Sequence, residues 1–261
     1  MPVVVLTRTQ EDNADLILDL KDSGTDFFSF PLLDFARPNS YEDLDRAIRS
    51  NHQYDWIFFL SKKSALSFFD RVIELGGHLF HLSPHIKIAC VGKSTSRFVS
   101  DEIGFPVDFV PSQFNADTLL SEFVDKFANE GWSNGLEPKK ILIPRNADLD
   151  DDLTDKIQSQ FVIDICPAYR CLPSRPSSSK IQELQKLIDS HKEIYISLAS
   201  SQTAKNFSEL APKLNCHDGV KILSIGPKTS ETIKELLPDF ELITSFKPCF
   251  KTMIKLANNG K

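Results

Sequence analysis

Residues Lys221–Leu236 read KILSIGPKTSETIKEL: a lysine, an apolar run, a Gly-Pro turn, and then apolar residues at the spacing of an amphipathic helix. The same plan stands at Lys87–Val99, KIACVGKSTSRFV, where Gly92 matches Gly226 and Thr95-Ser96 match Thr229-Ser230. A strand that ends in glycine and turns at once into a helix leaves the first helical N–H groups without intrahelical partners, with hydroxyls beside them. Both turns are therefore candidate anion sites.

The echo extends outward from this pair. Val3–Arg8 (VVVLTR) returns as Ile141–Arg145 (ILIPR), Pro31–Pro38 (PLLDFARP) returns loosely as Pro167–Pro173 (PAYRCLP), and FFLSKKSALSF from Phe58 returns as SLASSQTAKNF from Ser197. In the last pair Ser61, Ala65 and Phe68 fall on Ser200, Ala204 and Phe207. The offset stays near about 137 residues, far beyond the roughly 20–50 residues of a solenoid repeat. The duplicated unit is a whole domain.

At 261 residues, 41% hydrophobic and 25% charged, the chain has material for two globular domains with sizeable cores. No apolar run approaches membrane-spanning length, and no basic segment leads into a signal-type apolar stretch, so the expectation is a cytoplasmic protein with no membrane partner. A net charge of −6 argues against nucleic acid as a partner. The five cysteines are odd in number with no CxxC pair, which reads as reduced thiols in strands rather than a disulfide or metal framework.

Taken in order, strands are expected at 3–6, 56–60, 87–91 and 107–110, with an extended run over 27–35. Helices are expected over 12–21, 41–51, 63–75, from the Gly92 turn to 103, and over 116–128. A loop over 130–140 precedes a second series: strands at 141–143, 162–169, 194–198, 221–225 and 240–243, and helices over 149–158, 180–190, 202–210, 227–236 and 250–257. Alternating strands and helices imply an α/β fold with parallel sheets covered on both faces, each half a flavodoxin-sized, doubly wound unit of about five strands. Ligands in such folds gather at the carboxyl ends of strands, where both Gly turns lie.

The segments FLSKKSAL, VGKST, AYRC, LASSQTAKNF and IGPKTS stand in the order and spacing of the uroporphyrinogen-III synthase family, which this sequence resembles over nearly its whole length. Ile225-Gly226-Pro227-Lys228-Thr229 is the most specific of these marks. The sequence departs from the family at Leu60 and Ala199, where Thr is usual, at Lys63, where Asn is frequent, and at Asn146, where Gly commonly follows the Arg. The resemblance implies two lobes, 1–35 with 172–261 and 36–171, joined by two extended connectors that act as a hinge beside a cleft.

The resemblance also implies an activity. The family closes the linear tetrapyrrole hydroxymethylbilane into a macrocycle with inversion of the last pyrrole ring and loss of water, without metal or cofactor. The substrate's own electrons expel the hydroxyl, so the protein must fold the chain onto itself, shield the cation and protonate the leaving group. Tyr169 is the implied acid, since an ordinary phenol stays protonated at neutral pH. Eight carboxylates need donors, for which the candidates are Ser61, Lys62, Lys63, Ser94, Thr95, Arg145, Ser200, Gly226, Pro227, Lys228 and Thr229, with Arg8 at the strand end equivalent to Arg145. A monomer is implied, with hydroxymethylbilane synthase as a transient partner.

Plainer readings stand beside these. Gly92-Lys93-Ser94 looks like the end of a phosphate loop, but the glycine required five residues earlier is Lys87. Ser94, Thr95 and Thr229 read alone as helix caps, Lys62-Lys63 as solvated charge, Tyr169 as a strand aromatic, and His78, His81 and His85 as a loop cluster without a partner ligand. A non-catalytic bilobal clamp for a polycarboxylate or nucleotide-like anion is the alternative function. An isomer assay separates the two.

Overall fold

The computed structural model describes residues 2–9, 13, 17, 20–21, 24–76, 82–131, 139–149, 161–247 and 250–258. Outside them lie most of the helix expected over 12–21, nearly all of that expected over 149–158, most of the 130–140 loop, His78, His81 and Cys249. The strands in chain order are β1 (Val3–Leu6), β2 (Asp26–Ser29), β3 (Leu33–Ala36), β4 (Trp56–Phe59), β5 (Lys87–Cys90), β6 (Lys140–Asn146), β7 (Val162–Pro173), β8 (Ile194–Leu198), β9 (Val220–Ser224) and β10 (Glu241–Thr244). The α-helices are α1 (Glu42–Arg49), α2 (Lys62–Glu74), α3 (Lys93–Arg97), α4 (Ala116–Gly131), α5 (Ser178–Ser190), α6 (Ser201–Leu210), α7 (Pro227–Leu236) and α8 (Phe250–Asn258). None of the described helices is long and apolar enough to cross a membrane.

The chain divides into two compact units, Met1–Asp34 with Leu172–Lys261 (unit 1) and Phe35–Cys171 (unit 2). Unit 1 carries the sheet β10-β9-β8-β1-β2 and unit 2 the sheet β3-β7-β6-β4-β5. The pairs β1–β2, β1–β8, β8–β9 and β9–β10 in one sheet, and β4–β5, β4–β6 and β6–β7 in the other, are all parallel. The duplicated halves have therefore exchanged their leading strands: β1 lies beside β8 with β2 outside it, while their equivalents have β6 beside β4 with β7 on its other side.

Two sequence expectations change. The extended run over 27–35 is two strands that belong to different sheets, with buried Phe30 and Leu32 between them. The strand over 107–110 shrinks to a single bridge, Phe109 to Ala89. Pro106 and Pro111 flank it and donate no ladder hydrogen bonds, and the Asp108 carboxylate accepts from the Ile88 N–H at 2.8 Å in place of a backbone partner.

Helices cover both faces of each sheet, so strand residues are buried on either side. In unit 2, Leu44 and Ile48 of α1, Phe68, Phe69 and Val72 of α2, and the π-helical turn Phe98–Ile103 that continues α3, pack on one face. Trp56, Phe58, Phe123 and Phe127 form an aromatic layer with α4 on the other. Burying each such side chain stabilises the fold by roughly 1.5–3 kcal/mol. Unit 1 repeats the scheme, with α5, α6 and α7 on one face and Met253, Ile254 and Ala257 of α8 on the other. Cys90 and Cys166 are free thiols in strands, and burial pushes both up to about 12, which keeps them unreactive.

Candidate active site

Helix α2 starts where β4 stops because Ser61 caps it. The Ser61 hydroxyl accepts from the Ser64 N–H at 2.9 Å and the Ser64 hydroxyl accepts from the Ser61 N–H at 3.1 Å, a reciprocal capping box. Ser200 and Thr203 do the same at the start of α6, at 3.1 and 3.0 Å, after β8. The second pair of turns also matches: Gly92 after β5 and Gly226 after β9 are both extended N-caps, at φ −174° and 175°. Thr95 and Thr229 are the third residues of the helices that follow, both buried, while Ser94 is exposed on the second position of α3. Pro227 occupies the first position of α7, where its missing N–H is harmless, and Lys228 follows it exposed.

The two glycines differ in what surrounds them. A Cβ on Gly92 would come within 3.0 Å of the Phe114 Cβ, whereas one on Gly226 would meet nothing within 4 Å. In unit 1 the turn is braced from below, by a chain of hydroxyls in which Ser230 bonds Ser224 at 3.0 Å and Thr244 at 2.7 Å. The Gly226 turn is thus held rigid on its inner side and open on its outer side.

In unit 2, Tyr169 reaches the Ser61 cap through an irregularity in β7. Arg145 pairs with Pro167 and Asn146 with Tyr169, so Ala168 is an extra residue, a β-bulge. In a regular strand Ala168 and Tyr169 would face opposite sides of the sheet. Here both pack against the cluster formed with α1 and α2. The phenol oxygen of Tyr169 lies 3.3 Å from the Ser61 hydroxyl. Ser61 accepts from the Ser64 N–H with one lone pair and keeps a second lone pair and its proton, so either hydroxyl can donate in this contact.

Of the nominated residues, Ser61, Lys63 and Tyr169 come together in unit 2. The Lys63 ammonium lies 4.8 Å from the centre of the Phe35 ring, and both residues line a pocket of about 210 Å³ with Tyr169. Lys62 points elsewhere, to Glu102 at 3.2 Å and the Phe98 ring. Arg145 is 6% exposed and continues the alternation of Ile141 and Ile143, which pack on the face away from Ala168. Arg8 lies 4.8 Å from the Phe250 ring in unit 1, the unit that also carries Ser200, Gly226, Pro227, Lys228 and Thr229.

Sequence reasoning missed the other walls of the pocket, Phe35, Tyr41 and Arg71. A signal existed for one of them: Lys63, Ser67, Asp70, Arg71 and Glu74 recur at helical spacing as the polar face of α2. Arg71 is committed to structure, with two bonds of 2.7 Å to Asp45, one of 2.8 Å to Glu74, and the Tyr41 ring 4.3 Å away.

Parallel α/β units made by duplication, with hydroxyl-bearing helix starts at the strand ends and, in unit 2, a phenol 3.3 Å from one of them, define a class of duplicated α/β protein whose strand-end turns are suited to anions. Comparison with known proteins narrows the class. The family model described as "Uroporphyrinogen-III synthase HemD" matches residues 14–238, and the chain belongs to that family. It is 28% identical to the uroporphyrinogen-III synthase of Synechococcus elongatus, over 92% of this chain and 88% of the relative. It is 22% identical to that of Chlorobaculum parvum, over 94% of each. The fold is similar to the crystal structure of uroporphyrinogen-III synthetase from Helicobacter pylori, with a TM-score of 0.62 at 15% identity, covering 100% of this chain and 99% of that one. A mutant uroporphyrinogen III synthase from the extremely thermophilic bacterium Thermus thermophilus gives a TM-score of 0.57 at 14% identity, covering 100% of each chain.

Proposed function

We propose that this chain closes hydroxymethylbilane into uroporphyrinogen III, inverting ring D and releasing water, in tetrapyrrole biosynthesis. The pyrrole nitrogen lone pair breaks the C–O bond of the terminal hydroxymethyl group, and Tyr169 gives its proton to the departing hydroxyl, which leaves as water. The phenolate so formed accepts the Ser61 hydroxyl proton as a hydrogen bond across the observed 3.3 Å. Inversion requires the substituted α-carbon of ring D to bond the freed methylene first; its older bond to the neighbouring bridge carbon then breaks, and that bridge carbon bonds the ring's free α-carbon, whose departing proton restores the phenol. Hydroxyls and N–H groups at Ser94, Thr95, Ser200, Gly226 and Thr229 and the helix-start N–H groups after Ser61, with Lys63 and Lys228 beside them, hold the substrate carboxylates. Hydroxymethylbilane synthase supplies the substrate, and the reading places the protein in the cytoplasm as a monomer.

The observation that carries this reading is the Tyr169 phenol beside the Ser61 cap, reached through the bulge at Ala168. Leu60, where the family usually has Thr, packs its side chain against the aromatic layer, and the Ser61 cap next to it is retained. Supplying hydroxymethylbilane and separating the product isomers tests the proposal. Isomer III is expected; isomer I alone, the product of spontaneous closure, would leave only the binding-clamp function.

A further inference from the structure

Ser61 and Phe35 both meet Tyr169, and Phe35 has no part in the proposed chemistry. The Phe35 ring meets the Tyr169 ring edge to face, with centroids 5.6 Å apart and planes at 88°. Phe35 sits on β3, at the edge of the sheet next to β7, and is the first residue of unit 2 along the chain. The Lys63 ammonium lies 4.8 Å from its ring centre, so a cation on α2 is attracted to the same ring that supports the phenol.

A tyrosine on a bulge needs such support. The bulge removes Ala168 from the ladder and leaves the local backbone with fewer constraints than a regular strand, while the phenol must hold its oxygen within hydrogen-bond reach of Ser61. Edge-to-face packing fixes the plane of a ring as well as its position, because the positive edge of one ring seeks the negative face of the other. An aliphatic side chain of similar bulk fills the space without setting that plane.

We propose that Phe35 is a positioning residue for this reaction: its ring orients the Tyr169 phenol toward the leaving hydroxyl, with Lys63 pinning Phe35 in turn. This rests on Tyr169 acting as the acid. In this proposal the influence of Phe35 passes through Tyr169, the ring it meets edge to face.

The test is a double-mutant cycle on the full chain, with kcat and KM for isomer III measured separately. Phe35→Leu is expected to lower kcat about 10-fold with KM within about 2-fold of the parent, and Phe35→Tyr, which keeps the ring, to restore most of it. In a Tyr169→Phe background the Phe35→Leu change is expected to have no further effect on kcat. If Phe35→Leu lowers kcat equally in both backgrounds, or raises KM instead, Phe35 acts on the fold or the substrate and the proposal is overturned. If Tyr169→Phe is slow but Phe35→Leu matches the parent, the proposal alone fails and Tyr169 stands as the acid. If Tyr169→Phe turns over at the parental rate, the acid assignment fails and Phe35 positioning falls with it. Thermal unfolding of each variant identifies any loss of folded protein, and Phe35→Trp provides a second aromatic variant should Phe35→Leu not fold.

Discussion

Thr95 and Thr229 occupy the same place in the two units, each the third residue of a helix entered from an extended glycine, at 4% and 5% exposure. Hydroxyls buried beside helix-start N–H groups are suited to a carboxylate, which gains charge-assisted hydrogen bonds there. Thr229→Val keeps the shape and removes the hydroxyl, and should weaken product binding by about 1.5–3 kcal/mol, the worth of one hydrogen bond to a charged group. Ser200→Ala should weaken it similarly. Neither should abolish turnover, and equilibrium binding of uroporphyrinogen III measures both.

Tyr169→Phe removes one oxygen, the one that lies 3.3 Å from Ser61. Isomer III formation should fall about 100-fold or more, in kcat, with product binding retained. Full turnover by Tyr169→Phe together with an inactive Thr229→Val would move catalysis to the Gly-Pro-Lys-Thr turn.

Gly226 and Gly92 should respond oppositely to alanine. Both are extended, a conformation alanine adopts, yet of the two only Gly92 would have the new methyl crowd a neighbour, Phe114 at 3.0 Å. Gly226→Ala should leave stability unchanged or raise it by about 0.4–1 kcal/mol through the unfolded chain, while weakening substrate binding because the methyl stands in the open space over the turn. Gly92→Ala should lower the unfolding temperature. Denaturation curves paired with binding isotherms distinguish the two.

Acid should loosen unit 2 through Asp45. The two hydrogen bonds from Arg71 hold its carboxyl below the ordinary carboxylate value, against the opposing effect of burial. The unfolded chain therefore binds a proton at Asp45 more readily than the folded one. The stabilisation is complete above the unfolded value near pH 4 and is lost as pH falls through the depressed folded value. Asp45→Asn should cost about 2–3 kcal/mol at pH 7. The difference between parent and variant should shrink below pH 4, as urea unfolding at a series of pH values would show.

The strand-end turns were legible in the sequence because everything that builds them lies within four residues. Ser61 with Ser64, Ser200 with Thr203, and the extended Gly92 and Gly226 ahead of their helices are set by local hydrogen bonding and backbone preference. The alternation of strands and helices was legible for the same reason, since burial period is a short-range property. Where each strand pairs is not local. The exchange of β1 and β2 for β6 and β7 follows from which apolar faces meet across distant stretches of chain, and periodicity looks the same either way. The shrinking of the expected strand over 107–110 to one bridge likewise depends on Asp108 reaching Ile88. Tyr169 shows the division most sharply. Its place in the sequence assigns it to one face of β7, and pairing with Asn146 past Ala168 turns it to the other, because only the tertiary ladder decides which residue is left out. On β6 the alternation runs uninterrupted to Arg145, which falls in line with Ile141 and Ile143 and is buried.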